Sequence, residues 1–157
     1  MFLHKYIYDI ILLLNYGGFY LSLRFEKVMD PKDAAQMNAL QLAYLGDSVW
    51  ELIVRYHLAC RKYNVRHMHQ KCVDMVNAHA QSKILNSLNG ILNETETEIV
   101  KRGRNAHAKH PAPRNQNPDE YALSTGFEAL FGFLYLTGDN ERIKYLVESI
   151  NEVNENV

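Results

Sequence analysis

Two carboxylates stand where they cost the most. Asp47 lies within Leu45-Gly46-Asp47-Ser48-Val49 and Glu128 opens Glu128-Ala129-Leu130-Phe131-Gly132. Each occupies a position in a helical run where the apolar spacing calls for a hydrophobic residue. An ionised carboxylate on such a stripe is unfavourable unless it is paired, hydrogen-bonded or bound to a metal. Hard divalent cations take oxygen ligands from several chain segments, so two misplaced acids say more than one. Glu51 follows Asp47 by one helical turn on the same face, where like charges repel and a nearby cation would relieve them. The alternative for a single acid is a partly exposed or arginine-paired side chain, and spacing alone leaves both readings open.

A second group is basic. Lys101, Arg102, Arg104, Lys109 and Arg114 crowd one stretch, with Asn105, His107 and His110 among them. Such a run is either a solvated face or a phosphate-contacting patch. Cys60, His67, His69 and Cys72 have the composition of a metal site, but their spacing fits no familiar zinc pattern. His79 reads as structural or exposed. There is no phosphate-cradling glycine loop and no nucleophile-elbow serine.

The elements that would carry these residues are helical. Asp33 to Cys60 reads as one long helix, with Leu40, Tyr44, Asp47, Val54 and Leu58 on one face. Gly46 is a poor helix former, so its use is close approach by another backbone, and Gly132 permits the same one turn beyond Glu128. Tyr63-Asn64-Val65 is a break. His67 to Asn86 reads as a second helix and Asn93 to about Arg104 as a third, with acids in its first turn as the helix dipole favours. His107 to Pro118 is a proline-broken loop, of a length that is often functional. Tyr121 to Thr137 is a strongly apolar helix, and Asp139-Asn140 opens a last one through Ile143, Leu146, Val147 and Ile150. No segment alternates as a strand does, so the fold class is all-α. Trp50, Phe131 and Phe133 are candidates for the core or for a dimer seam.

The bulk figures suit one soluble domain: 157 residues, 47% hydrophobic and 22% charged. The net charge of -1 argues against a generally basic nucleic-acid binder, so any such contact must come from a local patch. The two cysteines read as free thiols of a cytoplasmic protein. Tyr6 to Leu14 is apolar but too short to span a membrane, and no small-residue cleavage site follows it. Met29-Asp30-Pro31 reads as a fresh start, with Asp30 and Pro31 opening a helix. The expectation is an extension over 1–28 with Met29 as the true initiator, followed by a single domain over 29–157.

Leu42-Ala43-Tyr44-Leu45-Gly46-Asp47, Lys101-Arg102-Gly103-Arg104-Asn105-Ala106 and Ser124-Thr125-Gly126-Phe127-Glu128-Ala129-Leu130 together resemble the catalytic domain of the ribonuclease III family. Over 34–150 the chain is most similar to the Mini-III branch, which consists of that domain alone. The resemblance implies an all-α, dimeric, Mg²⁺-dependent endoribonuclease acting on double-stranded RNA and leaving 5′ phosphates. Asp47 and Glu128 would be its catalytic and metal-holding acids. Full-length ribonuclease III carries acids at the positions of Leu40, Ala43 and Thr125, so only Asp47 and Glu128 are carried over. Their replacement follows the Mini-III pattern.

On that resemblance Lys101, Arg102, Arg104, Asn105, Lys109 and Arg114 become RNA contacts, with Asn105 or Gln116 reaching minor-groove edges or 2′-hydroxyls. Residues 138–157 are too few for a separate RNA-binding domain, so the catalytic domain would bind RNA itself as a homodimer. The substrate implied is the 23S ribosomal RNA precursor, with a ribosomal protein as a further partner. Two other readings are a non-catalytic RNA-binding module in ribosome assembly and a helical interaction protein with structural acids.

Overall fold

In the computed structural model residues 28–106 and 116–155 are described, with side chains to 150. They form seven helices and no strand: α1 (Pro31–Gln36), α2 (Ala39–Ala59), α3 (Val65–Val76), α4 (Ala78–Ser87), α5 (Glu94–Asn105), α6 (Pro118–Thr137) and α7 (Asn140–Glu155). Residues 1–27, Lys109, Arg114, His107, His110, Pro111 and Pro113 lie outside the described residues, as do the expectations placed on them. Asp30 caps α1 by accepting from the Lys32 N–H at 2.8 Å, with Pro31 in the first turn, as the sequence predicts.

The central element is α6. Ser124 to Leu134 is buried on nearly every side, apart from the half-buried Glu128, and a helix apolar all round must be enclosed. α2, α4 and α5 pack around it. Pro118 sits in its first turn, Asn117 accepts from the Asp119 N–H at 2.9 Å, and Gly138 ends it in the left-handed region at φ 71°. Trp50, Phe127 and Phe131 form the core where α2 crosses α6. The indole meets both phenyl rings edge-on, at centroid distances of 5.0 and 5.3 Å, and donates from Nε1 to the Met75 carbonyl at 3.2 Å. Trp50, Phe131 and Phe133 therefore belong to the core.

Val65 and Pro118, expected in a break and a loop, instead open α3 and α6, and two expected helices are each divided at an asparagine. The single helix expected from Asp33 to Cys60 is broken at Met37–Asn38. Asn38 takes an extended conformation and accepts from the Leu40 N–H at 2.8 Å, starting α2 afresh. The guanidinium of Arg102 on α5 donates to the Ala35 and Met37 carbonyls that the break leaves over. The helix expected from His67 to Asn86 is likewise two, α3 and α4, divided at Asn77. Its amide accepts from the Ala80 N–H at 2.9 Å and donates to the Val73 carbonyl at 2.9 Å, so one side chain ends α3 and caps α4.

The face expected on α2 holds only in its second half, where Val54 and Leu58 are buried; the first half turns outward. Leu40 and Tyr44 are exposed, Tyr44 by 85%, and Asp47 is exposed with them. The buried stripe runs through Leu42, Gly46, Val49, Trp50 and Ile53 instead, because that is the side α6 covers. At the far end of the fold Arg142 joins α7 to α5. It donates to both oxygens of buried Glu96, at 2.7 and 2.8 Å, and to the Ile91 carbonyl at 2.6 Å.

Candidate active site

α2 and α6 run antiparallel with their backbones in contact. A Cβ on Gly46 would stand 1.7 Å from the Glu128 carbonyl oxygen, and one on Gly132 would stand 2.0 Å from the Leu42 carbonyl oxygen. Only glycine permits this approach, as its position beside each acid in the sequence predicts. The contact sets Asp47, one residue past Gly46, at the rim of the same seam that holds Glu128.

Glu128 feels the charge of Asp47. Glu128 is half-buried, and its pKa is pushed up to about 7, first by burial and then by the charge of Asp47. Burial, with Glu51 behind it, also raises Asp47. Glu51 itself is ion-paired to Arg55 at 2.6 Å on the exposed side of α2. Like charges held together from two helices are a cation-seeking arrangement, and oxygen donors of this kind suit a hard divalent ion. No group of three or more His, Cys, Asp or Glu converges for a metal among the described residues. A cation here would rely on the Asp47–Glu128 pair, with water or substrate oxygens filling its other positions, as Mg²⁺ prefers. Thr125, where the family pattern has an acid, is buried and donates to the Tyr121 carbonyl at 3.0 Å.

One neighbour escaped the sequence reading. Gln81 of α4 is buried to 1% exposure, and its amide lies beside the Glu128 carboxyl, drawing that pKa back down. The only sequence signal was a polar residue among Ala80, Ile84 and Leu85 on an otherwise apolar helix face. His79, exposed, pairs with Glu120 at 2.7 Å across the same α4–α6 contact.

The basic residues lie on α5, which also meets α6 through glycine. A Cβ on Gly103 would lie 2.8 Å from the Gly126 Cα. Lys101, Arg104 and Asn105 are exposed, and Lys101 reaches Glu98 at 3.5 Å. Arg102 is half-buried and committed to the α1–α2 corner. A shallow groove of about 390 Å³ runs between α5 and the start of α2, lined by Asn38, Leu40, Lys101, Arg102 and Asn105. Cys60 is an exposed free thiol and Cys72 a buried one.

The domain is all-helical among the described residues, and residues 40–139 match a family model described as Ribonuclease III domain. The chain belongs to the ribonuclease III family. Within it the chain sits among the Mini-ribonuclease 3 proteins and is an endoribonuclease of that kind. It is 47% identical to Mini-ribonuclease 3 of Symbiobacterium thermophilum over 111 residues, covering 70% of this chain and 85% of the relative. The counterpart from Clostridium tetani is 34% identical over 134 residues, 84% of this chain and 85% of its own length. A crystal structure of a Fusobacterium nucleatum protein superposes with a TM-score of 0.67 at 33% identity, covering 74% of this chain and 93% of that one. Among the described residues no helix is long and apolar enough to cross a membrane.

Proposed function

We propose that this chain is a Mg²⁺-dependent endoribonuclease that cuts double-stranded RNA, with Asp47 and Glu128 as the catalytic acids that hold the metal. The observation that carries the reading is the glycine seam between α2 and α6, which brings Asp47 to the rim beside the half-buried Glu128. When bound there, Mg²⁺ supplies a more acidic water and neutralises charge building on the phosphate. The chain's own part is to hold two carboxylates on touching helices, where burial and like charge make a cation welcome. Asp47 faces solvent and is open to a phosphate, whereas Glu128 is walled in by α4.

RNA binding falls to Lys101, Arg104 and Asn105 on the exposed side of α5, with Lys109 and Arg114 beyond them. Arg102 adds charge to the same face while holding the helix corner. Double-stranded RNA is read by shape and by phosphate and 2′-hydroxyl contacts, which suits a patch rather than a deep pocket. The active form is a homodimer. Tyr44, 85% exposed one turn before Asp47, and Leu40 beside it are apolar surface that a second copy would cover. The substrate is the 23S ribosomal RNA precursor in the cytoplasm, with a ribosomal protein as a further partner, and the products carry 5′ phosphates. Residues 1–28 are an extension that this activity does not use.

The test is cleavage of a labelled double-stranded precursor stem, with Mg²⁺ and with chelator, by wild type and Asp47→Asn. Metal-dependent cutting that vanishes in a folded variant still able to bind RNA is the expected result. Appreciable Mg²⁺-dependent cutting by Asp47→Asn would refute the assignment. RNA binding without cutting by wild type would point to a non-catalytic binding module.

A further inference from the structure

Gln81 is an anomaly in a well-satisfied core. The residue is 1% exposed, yet its Nε2 only approaches the Glu128 carboxyl and completes no well-formed hydrogen bond. Buried amide donors are nearly always paired, so one left over in a native fold calls for a role. Its neighbours on α4 solve the same problem locally: the Ser82 hydroxyl donates to the His79 carbonyl at 2.8 Å. Gln81 has no such outlet, and the acceptor beside it is the Glu128 carboxyl.

We propose that Gln81 is a positioning residue for Glu128: its unfilled buried Nε2 is a donor kept in reserve for one carboxylate oxygen, leaving the other turned toward a divalent cation shared with Asp47. The proposal rests on the metal-nuclease reading above. With a cation held by the pair, the amide would have a charged acceptor in a dry setting, the strong form of the hydrogen bond. Partners of this kind behind a metal ligand fix its orientation.

The experiment uses the full chain and Gln81→Met, which keeps length and removes the donor. In chelator the variant should melt at the same temperature as wild type or higher, since it loses an unsatisfied group rather than a bond. Mn²⁺ binding to the RNA-free protein, read by electron paramagnetic resonance, should weaken about tenfold. The Mg²⁺ needed for half-maximal cleavage of a double-stranded RNA should rise by about the same factor. Unchanged Mn²⁺ affinity in a folded variant overturns the proposal, and so does a melting temperature that falls in step with activity. A measurement on wild type alone guards against a variant that fails to fold. The side-chain NH₂ resonances of Gln81 should shift as Mg²⁺ is added, and resonances that stay fixed overturn the proposal. Failure of the parent reading looks different: wild type would then bind no Mn²⁺ and cut no RNA.

Discussion

The backbone of Gly46 rests on that of Glu128, close enough that a single added methyl would fall 1.7 Å from the Glu128 carbonyl oxygen. One candidate acid is thus fixed by the main chain of the helix carrying the other. The clash falls on backbone at both Gly46 and Gly132, so no side chain can swing aside to relieve it.

Gly46→Ala and Gly132→Ala should therefore force α2 and α6 apart. Overpacking commonly costs about 1–3 kcal/mol, and contact this close should exceed that range. Urea unfolding gives the number. Any variant that stays folded should cut RNA poorly, because the carboxylates no longer keep their separation.

Glu128 predicts an unusual pH profile for the metal-free protein. Its folded pKa of about 7 lies above the ordinary 4.5, so the folded state holds a proton that the unfolded chain has released. Stability is then full below about pH 4.5, falls as pH rises toward 7, and levels off beyond. Glu128→Gln should remove that decline and gain about 2 kcal/mol at pH 8 in chelator, allowing for partial exposure. Added Mg²⁺ should raise the melting temperature of wild type and leave that of Glu128→Gln unmoved. A variant no more stable than wild type at pH 8 would show that the pair is not strained.

Glu96 predicts the opposite sign. Burial alone would raise its pKa, but the Arg142 hydrogen bonds and the Asn93 backbone N–H outweigh burial and hold it below the ordinary carboxylate value. Its contribution is present above the unfolded pKa of about 4.5 and is lost as pH falls through the lower folded value. Arg142→Ala leaves a buried carboxylate without its partner and should cost about 3 kcal/mol at neutral pH. The variant should also unfold at a higher pH on acid titration.

Arg102 and Arg104 should separate cleanly, though they are two residues apart. Arg102→Ala strips the Ala35 and Met37 carbonyls of their donor and should lower stability by about 1–3 kcal/mol. Arg104→Ala should leave the melting temperature unchanged. It should weaken RNA binding and reduce the slope of log affinity against log salt by about 1. An unchanged slope would remove Arg104 from the RNA face.

The site was legible where chemistry and local pattern conflict. Glu128 in an apolar run and the glycines Gly46 and Gly132 are visible one helix at a time and pointed to the seam the fold contains, whereas Asp47, expected on a buried stripe, is exposed. The helix breaks at Asn38 and Asn77 were less visible, because apolar spacing continues almost in phase across them. What divides the helices is the capping of a single amide side chain, and in one case an arginine from α5. Arg102 shows the same limit: its charge is plain in sequence, but its two carbonyl partners lie more than sixty residues earlier in the chain. Gln81 was missed because its meaning depends wholly on which residue of α6 lies opposite. The rotation of α2 that exposes Tyr44 and Asp47 is likewise set by which side α6 covers.

The glycine seam has a consequence for how this protein can vary. Where two helices are spaced by interlocking side chains, each core substitution resets the gap between whatever they carry. Here the gap is set by peptide against peptide, a length that no change of side-chain volume elsewhere in the core can adjust. The acid pair is thus mounted on a fixed gauge, and Trp50, Phe127 and their neighbours are left to seal the interior rather than to measure it. Drift among the core residues should loosen the protein long before it detunes the site.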